Sequence, residues 1–269
     1  MHRKPQAPKA DARIVRVTVG RHTLFLGRVS GIRIGVHVSW LVLFAFVTLM
    51  VASGFTSLPP AAGYALGALC AIVLFVSVVG HELAHALAAR RFGVRTASIT
   101  MFLLGGIATL EEEPATPRAD ALVALAGPAM SALIALVGCI GLLLAGRFAP
   151  FGMRDATLIV AAYVTLANAA LAVFNLLPAY PMDGGRVLRA LIWKRTNDRE
   201  RATAVAARIG MSCGLLIVAA AVLICAATHE LFFGWYALLG TFILRAGWSH
   251  ERAFRRARRN VRGELAAAA

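Results

Sequence analysis

The stretch that decides the fold is residues 62–91, AGYALGALCAIVLFVSVVGHELAHALAARR. Its first nineteen residues, Ala62 to Gly80, carry no charged side chain. A helix of that length, rising about 1.5 Å per residue, covers roughly the 30 Å hydrocarbon thickness of a bilayer. The stretch therefore predicts a membrane-spanning helix with a charged cluster at its end.

That cluster, His81-Glu82-Leu83-Ala84-His85, is suited to holding a metal ion. At helical spacing His81 and His85 stand one turn apart on one face, where both can bind one ion. Glu82 lies beside them and can accept a proton from water activated by that ion. A charged residue at mid-membrane costs about 2.5–3.5 kcal/mol, so such a cluster indicates function. The alternative is a buried histidine pair with a structural carboxylate.

The composition predicts that most of the chain lies in the membrane. Of 269 residues, 59% are hydrophobic and 15% are charged, whereas about a quarter of a soluble domain is charged. We therefore predict an all-α polytopic membrane protein with six transmembrane helices and small membrane-surface β strands. The six predicted segments are residues 35–55, 62–89, 120–146, 157–178, 206–227 and 231–249.

The distribution of lysine and arginine predicts the orientation. If the N-terminus is cytoplasmic, the cytoplasmic parts are residues 1–34, 90–119, 186–208 and 245–269, and they hold 26 of the 28 basic residues. This asymmetry follows the positive-inside rule. It predicts a multi-pass protein of the cell membrane with both termini cytoplasmic. It also explains the net charge of +15 without a nucleic-acid partner.

Three stretches predict structure at the membrane surface. Alternating residues within 13–35 indicate one or two short strands. The loop 94–110 predicts a hairpin in which 94–100 pairs with 101–110. Its edge is expected to receive an extended peptide by strand addition, the alternative being a plain surface hairpin. The basic tail at 250–262 predicts a surface helix against anionic lipid.

A third metal ligand is needed, because catalytic zinc commonly has three protein ligands and one open position. Asp183 is the best candidate, since the segment before it ends on the same side of the membrane as His85. Pro178 and Pro181 interrupt that helix, which is tolerated where backbone lines a cavity. Asn175 could polarise a substrate carbonyl or hold a substrate backbone; alternatively it satisfies backbone groups freed by Pro178.

Taken together, these motifs resemble the site-2 protease family of zinc intramembrane metalloproteases. The matching stretches are HELAH at 81–85, N-x-x-P-x-x-P-x-D-G-G at 175–185, FLLGGIA at 102–108, AGPAMS at 126–131 and GIRIGVHVSW at 31–40. Two departures are the lack of an inserted PDZ domain and of C-terminal CBS domains, so regulation through those modules is not expected.

The resemblance implies a catalytic core of three helices, the second to fourth predicted segments. It implies one Zn²⁺ held by His81, His85 and Asp183, with Glu82 as general base. Asn175 is carried as a second catalytic candidate. Substrates would be single-pass membrane proteins, such as anti-sigma factors or membrane-bound transcription factors, cut within or near the transmembrane segment during regulated proteolysis.

The predicted domain organisation has three parts: a basic N-terminal segment at 1–34, the protease domain at 35–249 with its core at about 62–190, and a basic tail at 250–269. Three alternatives remain open. One is another zinc peptidase class that takes its third ligand from Glu111, Glu112 or Glu113. The second is a transporter or channel, and the third is a proteolytically inactive metal-binding relative.

Overall fold

The computed structural model describes residues 22–54, 59–103, 105–148 and 154–268. Helices dominate this part of the chain, with one small sheet. The elements in order are β1 (Thr23–Val29), β2 (Ile32–His37), α1 (Trp40–Gly54), α2 (Pro60–Arg91), β3 (Thr96–Phe102), β4 (Gly105–Leu110), α3 (Pro117–Phe148), α4 (Arg154–Asn175), α5 (Asp183–Thr196), α6 (Arg199–Thr228), a 3-10 turn (Leu231–Phe233) and α7 (Gly234–Ala268).

Four described helices, α2, α3, α4 and α6, are long and apolar enough to cross a membrane. They coincide with the second to fifth predicted segments. The first predicted segment is represented by α1, which has only 15 residues and is shorter than the roughly 20 that a perpendicular span needs. The sixth forms the beginning of the 35-residue helix α7. A multi-pass membrane protein is therefore supported, while the number of six crossings stays a prediction.

The outward faces of these helices are apolar, as lipid contact requires. Leu143, Leu166, Leu216 and Leu223 are 68–70% exposed on α3, α4 and α6. Large apolar patches of this kind are rare on soluble monomers and mark contact with a membrane or a partner. The small residues lie inside instead; Gly67 of α2, for example, packs directly on the backbone of Thr48 in α1.

The sheet contains four strands in the order β1-β2-β3-β4, with β2 and β3 parallel and the outer pairs antiparallel. The hairpin predicted within 94–110 is present, but the chain reverses between Phe102 and Gly105 rather than after residue 100. β1 and β2 fall partly within the predicted strand region; residues 14–19 of that prediction lie outside the described part. Buried Ile99 and Met101 of β3 pack against Val78 and Ala86 of α2. The sheet is thereby fixed beside the HELAH cluster.

The predicted C-terminal boundary of the fourth transmembrane segment, residue 178, was wrong. α4 ends at Asn175, three residues earlier than predicted, and Pro178 and Pro181 lie in irregular backbone. A new helix, α5, begins at Asp183, in a region that was expected to be a connecting segment. Proline lacks the N–H that continues a helix, which explains the break. The break places Asp183 in the first turn of a separate helix.

Candidate metal centre

Three buried side chains from two helices converge on one point. His81 and His85 come from α2 and Asp183 comes from the start of α5. The Nε2 atoms of His81 and His85 lie 3.2 and 3.1 Å from Asp183 Oδ2, and 3.2 Å from each other. These potential ligand atoms all fall within 4.8 Å of one another. The structure therefore brings together the three residues predicted as zinc ligands.

The donor set fits a zinc ion. His85 Nδ1 lies 2.7 Å from the carbonyl oxygen of Val123. A carbonyl can only accept, so Nδ1 carries the proton and the lone pair of Nε2 faces Asp183. His81 Nδ1 lies 2.9 Å from Ser131 Oγ, which can hold that ring in the same tautomer. Two imidazole nitrogens oriented by such outer hydrogen bonds, with one carboxylate, are ligands typical of zinc.

Helix α3 supplies both outer partners and packs closely over the imidazoles. A Cβ atom on Gly127 would collide with the Nε2 atoms of both His81 and His85. Glycine at 127 therefore lets α3 approach close enough for Val123 and Ser131 to reach the rings. The AGPAMS motif contains Gly127 and Ser131, but sequence reasoning assigned neither a role. Their spacing of four residues on one helix face was the available signal.

Glu82 lies between the metal cluster and the sheet. It directly follows His81 on α2, and its side chain packs against Gly106 of β4, where a Cβ atom would lie 2.5 Å from Glu82 Cγ and 3.0 Å from its Oε1. Glycine at 106 thus makes room for the carboxylate. The side chain that was predicted to act as general base is therefore next to the strand that was predicted to receive a peptide.

Asn175 and the glutamate triplet are not part of the cluster. Asn175 ends α4, and its amide donates to the carbonyl oxygen of Leu171 at 2.9 Å. Glu111, Glu112 and Glu113 are exposed in the loop before α3, where Glu113 pairs with Arg199. This arrangement favours Asp183 over a glutamate of the triplet as third ligand. The catalytic role of Asn175 stays a prediction.

A buried ion pair, missed by the sequence reasoning, holds α5 in place. Asp120 of α3 is fully buried and accepts hydrogen bonds from Arg189 of α5 at 2.9 and 2.7 Å. Burial disfavours the charged form of Arg189, but the charge and hydrogen bonds of Asp120 outweigh it and raise the pKa of the guanidinium. Arg186, one turn earlier, lies 3.4 Å from Asp120 Oδ1 and 3.9 Å from Asp183 Oδ1. Arg186 therefore connects Asp120 of α3 to Asp183, the third candidate metal ligand.

We expect Asp183→Asn to lower bound zinc from one ion per chain to well below half, because an amide is a much poorer zinc ligand than a carboxylate. Glu112→Gln removes a nearby exposed charge outside the cluster and should leave zinc content unchanged. Mass spectrometry of both purified variants measures the number of zinc ions bound per chain. Zinc loss in Glu112→Gln alone would favour the alternative peptidase class.

Comparisons with known proteins agree with this geometry. The model of peptidase family M50 matches residues 69–158 and 149–217. The chain is 36% identical over 230 residues, or 84% of its length, to the Synechocystis sp. protein named "Putative zinc metalloprotease sll0528". It is 38% identical over 239 residues, or 86% of its length, to the Mycobacterium tuberculosis protein named "Putative zinc metalloprotease Rip3". The chain spans 59% of the length of each relative.

A solved structure is also similar. The site-2 protease from Methanocaldococcus jannaschii superposes with a TM-score of 0.59 at 28% identity, covering 86% of this chain and 95% of that one. The names of these relatives and the donor set of the cluster support the predicted zinc ion, and the family resemblance read from the motifs is confirmed. Since the family model covers more than half of the 269 residues, the chain belongs to peptidase family M50, the site-2 protease family.

Proposed function

We propose that this protein is a zinc-dependent membrane protease that hydrolyses peptide bonds of single-pass membrane proteins within or near their transmembrane segment. The observation that carries the proposal is the buried cluster of His81, His85 and Asp183 toward the end of the 32-residue apolar helix α2. A general base candidate, Glu82, adjoins it. Family membership supports the same activity.

The chemistry is peptide hydrolysis by an activated water molecule. His81, His85 and Asp183 would hold the zinc ion, which would supply a Lewis acid for the scissile carbonyl and would increase the acidity of water. Glu82 accepts the proton of the attacking water on a carboxylate oxygen. The protonated Glu82 then delivers that proton to the amine nitrogen that leaves when the C–N bond breaks. Ser131 and the Val123 carbonyl keep the two imidazoles oriented throughout.

Substrate presentation is assigned to the edge of the sheet. β4 is the last strand in the order β1-β2-β3-β4, so within the described residues its outer edge has no strand neighbour. A substrate helix must unwind before its peptide bonds can be attacked, and backbone pairing with β4 would offset the hydrogen bonds lost in unwinding. Gly106 in β4 packs against Glu82. A strand added at this edge would therefore pass close to the base.

The site is assigned to the cytoplasmic side of the membrane. This orientation rests on the 26 of 28 basic residues that one topology gathers on that side. Water then reaches the cluster from the nearby aqueous face rather than through the bilayer. Regulated proteolysis of anti-sigma factors or membrane-bound transcription factors is the role that this placement fits.

The test is cleavage in proteoliposomes that contain the full chain and a tagged single-pass protein. We expect two fragments whose junction lies in or near the transmembrane segment, loss of cleavage after chelation, and recovery when zinc is returned. A substrate whose cleavage region is replaced by leucines should resist, because it unwinds less readily. Proton or cation flux without any cleavage would instead support the transporter alternative.

A further inference from the structure

We propose that a basic cleft beside α2 binds the phosphate headgroup of an anionic phospholipid. The cleft has a volume of about 670 Å³, and its charged lining residues are Arg28, Arg33, Arg90, Arg95 and Glu111. Four guanidinium groups and one carboxylate give it a formal charge of +3. This site is separate from the metal cluster and does not depend on the proposed proteolysis.

The hairpin of β1 and β2 places two like charges opposite each other. Arg28 pairs directly with Arg33 across the antiparallel strands. The reversal uses Ser30 and Gly31, with φ values of 53° and 84°, as in the tight two-residue turns that fix hairpin register. This turn holds the two arginines opposite each other. Like charges directly opposite destabilise a sheet unless a counter-charge compensates them.

Among the described residues, Glu111 is the carboxylate that lines the cleft, and it forms no ion pair with these arginines. Within the described part of the chain, no ion pair joins Arg28, Arg33, Arg90 or Arg95 to an acidic side chain. Arg90, in the last turn of α2, is favoured by the negative end of the helix dipole. In the ranges that the structure describes, no acidic side chain pairs with Arg28 or Arg33, so an anion from outside the chain would relieve the repulsion between them.

The depth of the cleft points to a lipid as the source of the anion. α2 ends at Arg91, where an apolar span gives way to polar chain. On β1, Leu24, Phe25 and Leu26 are 73, 61 and 58% exposed, and Arg28 follows two residues later. The hairpin thus changes from apolar to basic over a few residues, as the boundary between acyl chains and headgroups does. A lipid can contact Phe25, which the register puts on the same strand face as Arg28 and Arg33, through its acyl chain while its phosphate lies between the arginines.

The ligand chemistry is a phosphate diester. Arginine binds phosphate oxygens through its planar fork of N–H donors, often in pairs of parallel hydrogen bonds. The cleft should therefore prefer phosphatidylglycerol to phosphatidylcholine, whose own cationic group is repelled by the guanidinium groups.

The test is native mass spectrometry of the full chain in maltoside detergent, titrated with dioleoyl phosphatidylglycerol or dioleoyl phosphatidylcholine. We expect the wild type to retain phosphatidylglycerol about tenfold more tightly than phosphatidylcholine, because an arginine near an anionic headgroup is worth roughly that order of magnitude. R28Q/R33Q should lose this preference, because it lowers the formal charge of the cleft from +3 to +1. The control R195Q/R201Q removes two exposed arginines outside the cleft and should keep the preference for phosphatidylglycerol. Equal loss in both double variants would overturn the site in favour of diffuse attraction.

Two further measurements separate the remaining outcomes. Inorganic phosphate at millimolar concentration should not displace the lipid; if phosphate alone binds as well, the ligand is a free anion and the lipid assignment is wrong. In detergent without anionic lipid, R28Q/R33Q should melt at the same temperature as the wild type or higher, because the repulsion is gone. A lower melting temperature would contradict the like-charge argument.

Discussion

Replacing Gly127 with alanine is expected to weaken zinc binding by about 100-fold or more, and to abolish proteolysis with it. Outer partners of zinc ligands alone change affinity by about 10–100-fold, and this substitution also strikes the ligands themselves. The new methyl group would occupy space held by the Nε2 atoms of His81 and His85. Either the imidazoles rotate away from Asp183, or α3 retreats and takes Ser131 with it.

A matched control lies on the same helix. A Cβ atom on Gly146 meets nothing within 4 Å, so Gly146→Ala changes only helix propensity, which favours alanine by about 1 kcal/mol. That variant should bind one zinc per chain and cleave like the wild type. The zinc content of both variants and a titration with a competing chelator measure whether zinc affinity falls in Gly127→Ala alone. Full zinc occupancy in Gly127→Ala would show that α3 does not lie over the imidazoles as described.

Replacing Glu82 with glutamine is expected to reduce the cleavage rate by about 10²- to 10⁴-fold while zinc stays bound. General acid–base catalysis contributes a factor of this size. Glutamine keeps the shape of the side chain against Gly106 but cannot accept a proton at neutral pH. Single-turnover cleavage in proteoliposomes and metal analysis of the same preparation provide the two readouts.

The control for Glu82→Gln is Glu112→Gln, which removes an exposed carboxylate from the loop before α3. Its cleavage rate should equal that of the wild type. If Glu82→Gln cleaves normally, another group takes the proton and the assigned base is wrong. If it loses zinc as well as activity, Glu82 contributes to the metal cluster rather than to proton transfer.

The sequence predicted those features that depend on local spacing. The interval between His81 and His85 predicted a shared helix face, and the uncharged run before them predicted that α2 is long enough to cross a membrane. The irregular stretch 94–110 with its glycine pair predicted the hairpin of β3 and β4, though not the position of its turn. Asp183 was chosen because the predicted topology brings two segment ends to one side of the membrane. The family signature then joined these separate motifs into one site.

The missed features depend on contacts between distant parts of the chain. Nothing near Asp120 indicates that Arg189, 69 residues later, is its partner. Gly127 shares a helix face with Ser131 in the sequence pattern, but only its proximity to two imidazoles in the fold gives it a role. Likewise, nothing in the sequence distinguishes Arg28 and Arg33 from other surface charges; the hairpin register sets them opposite each other. Such roles follow from packing, which one-dimensional patterns do not encode.

The buried pair of Asp120 and Arg189 also bears on the order in which the protein folds and binds its metal. Because protein groups alone fix α5 to α3, the aspartate that begins α5 stays opposite the histidines before any cation arrives. In small zinc domains, by contrast, metal uptake and folding are one event. In this protein, insertion into the bilayer and packing of the helices can finish first. Zinc then binds in a separate, reversible step. We therefore expect a folded, metal-free form that binds zinc at the cluster as soon as zinc is supplied.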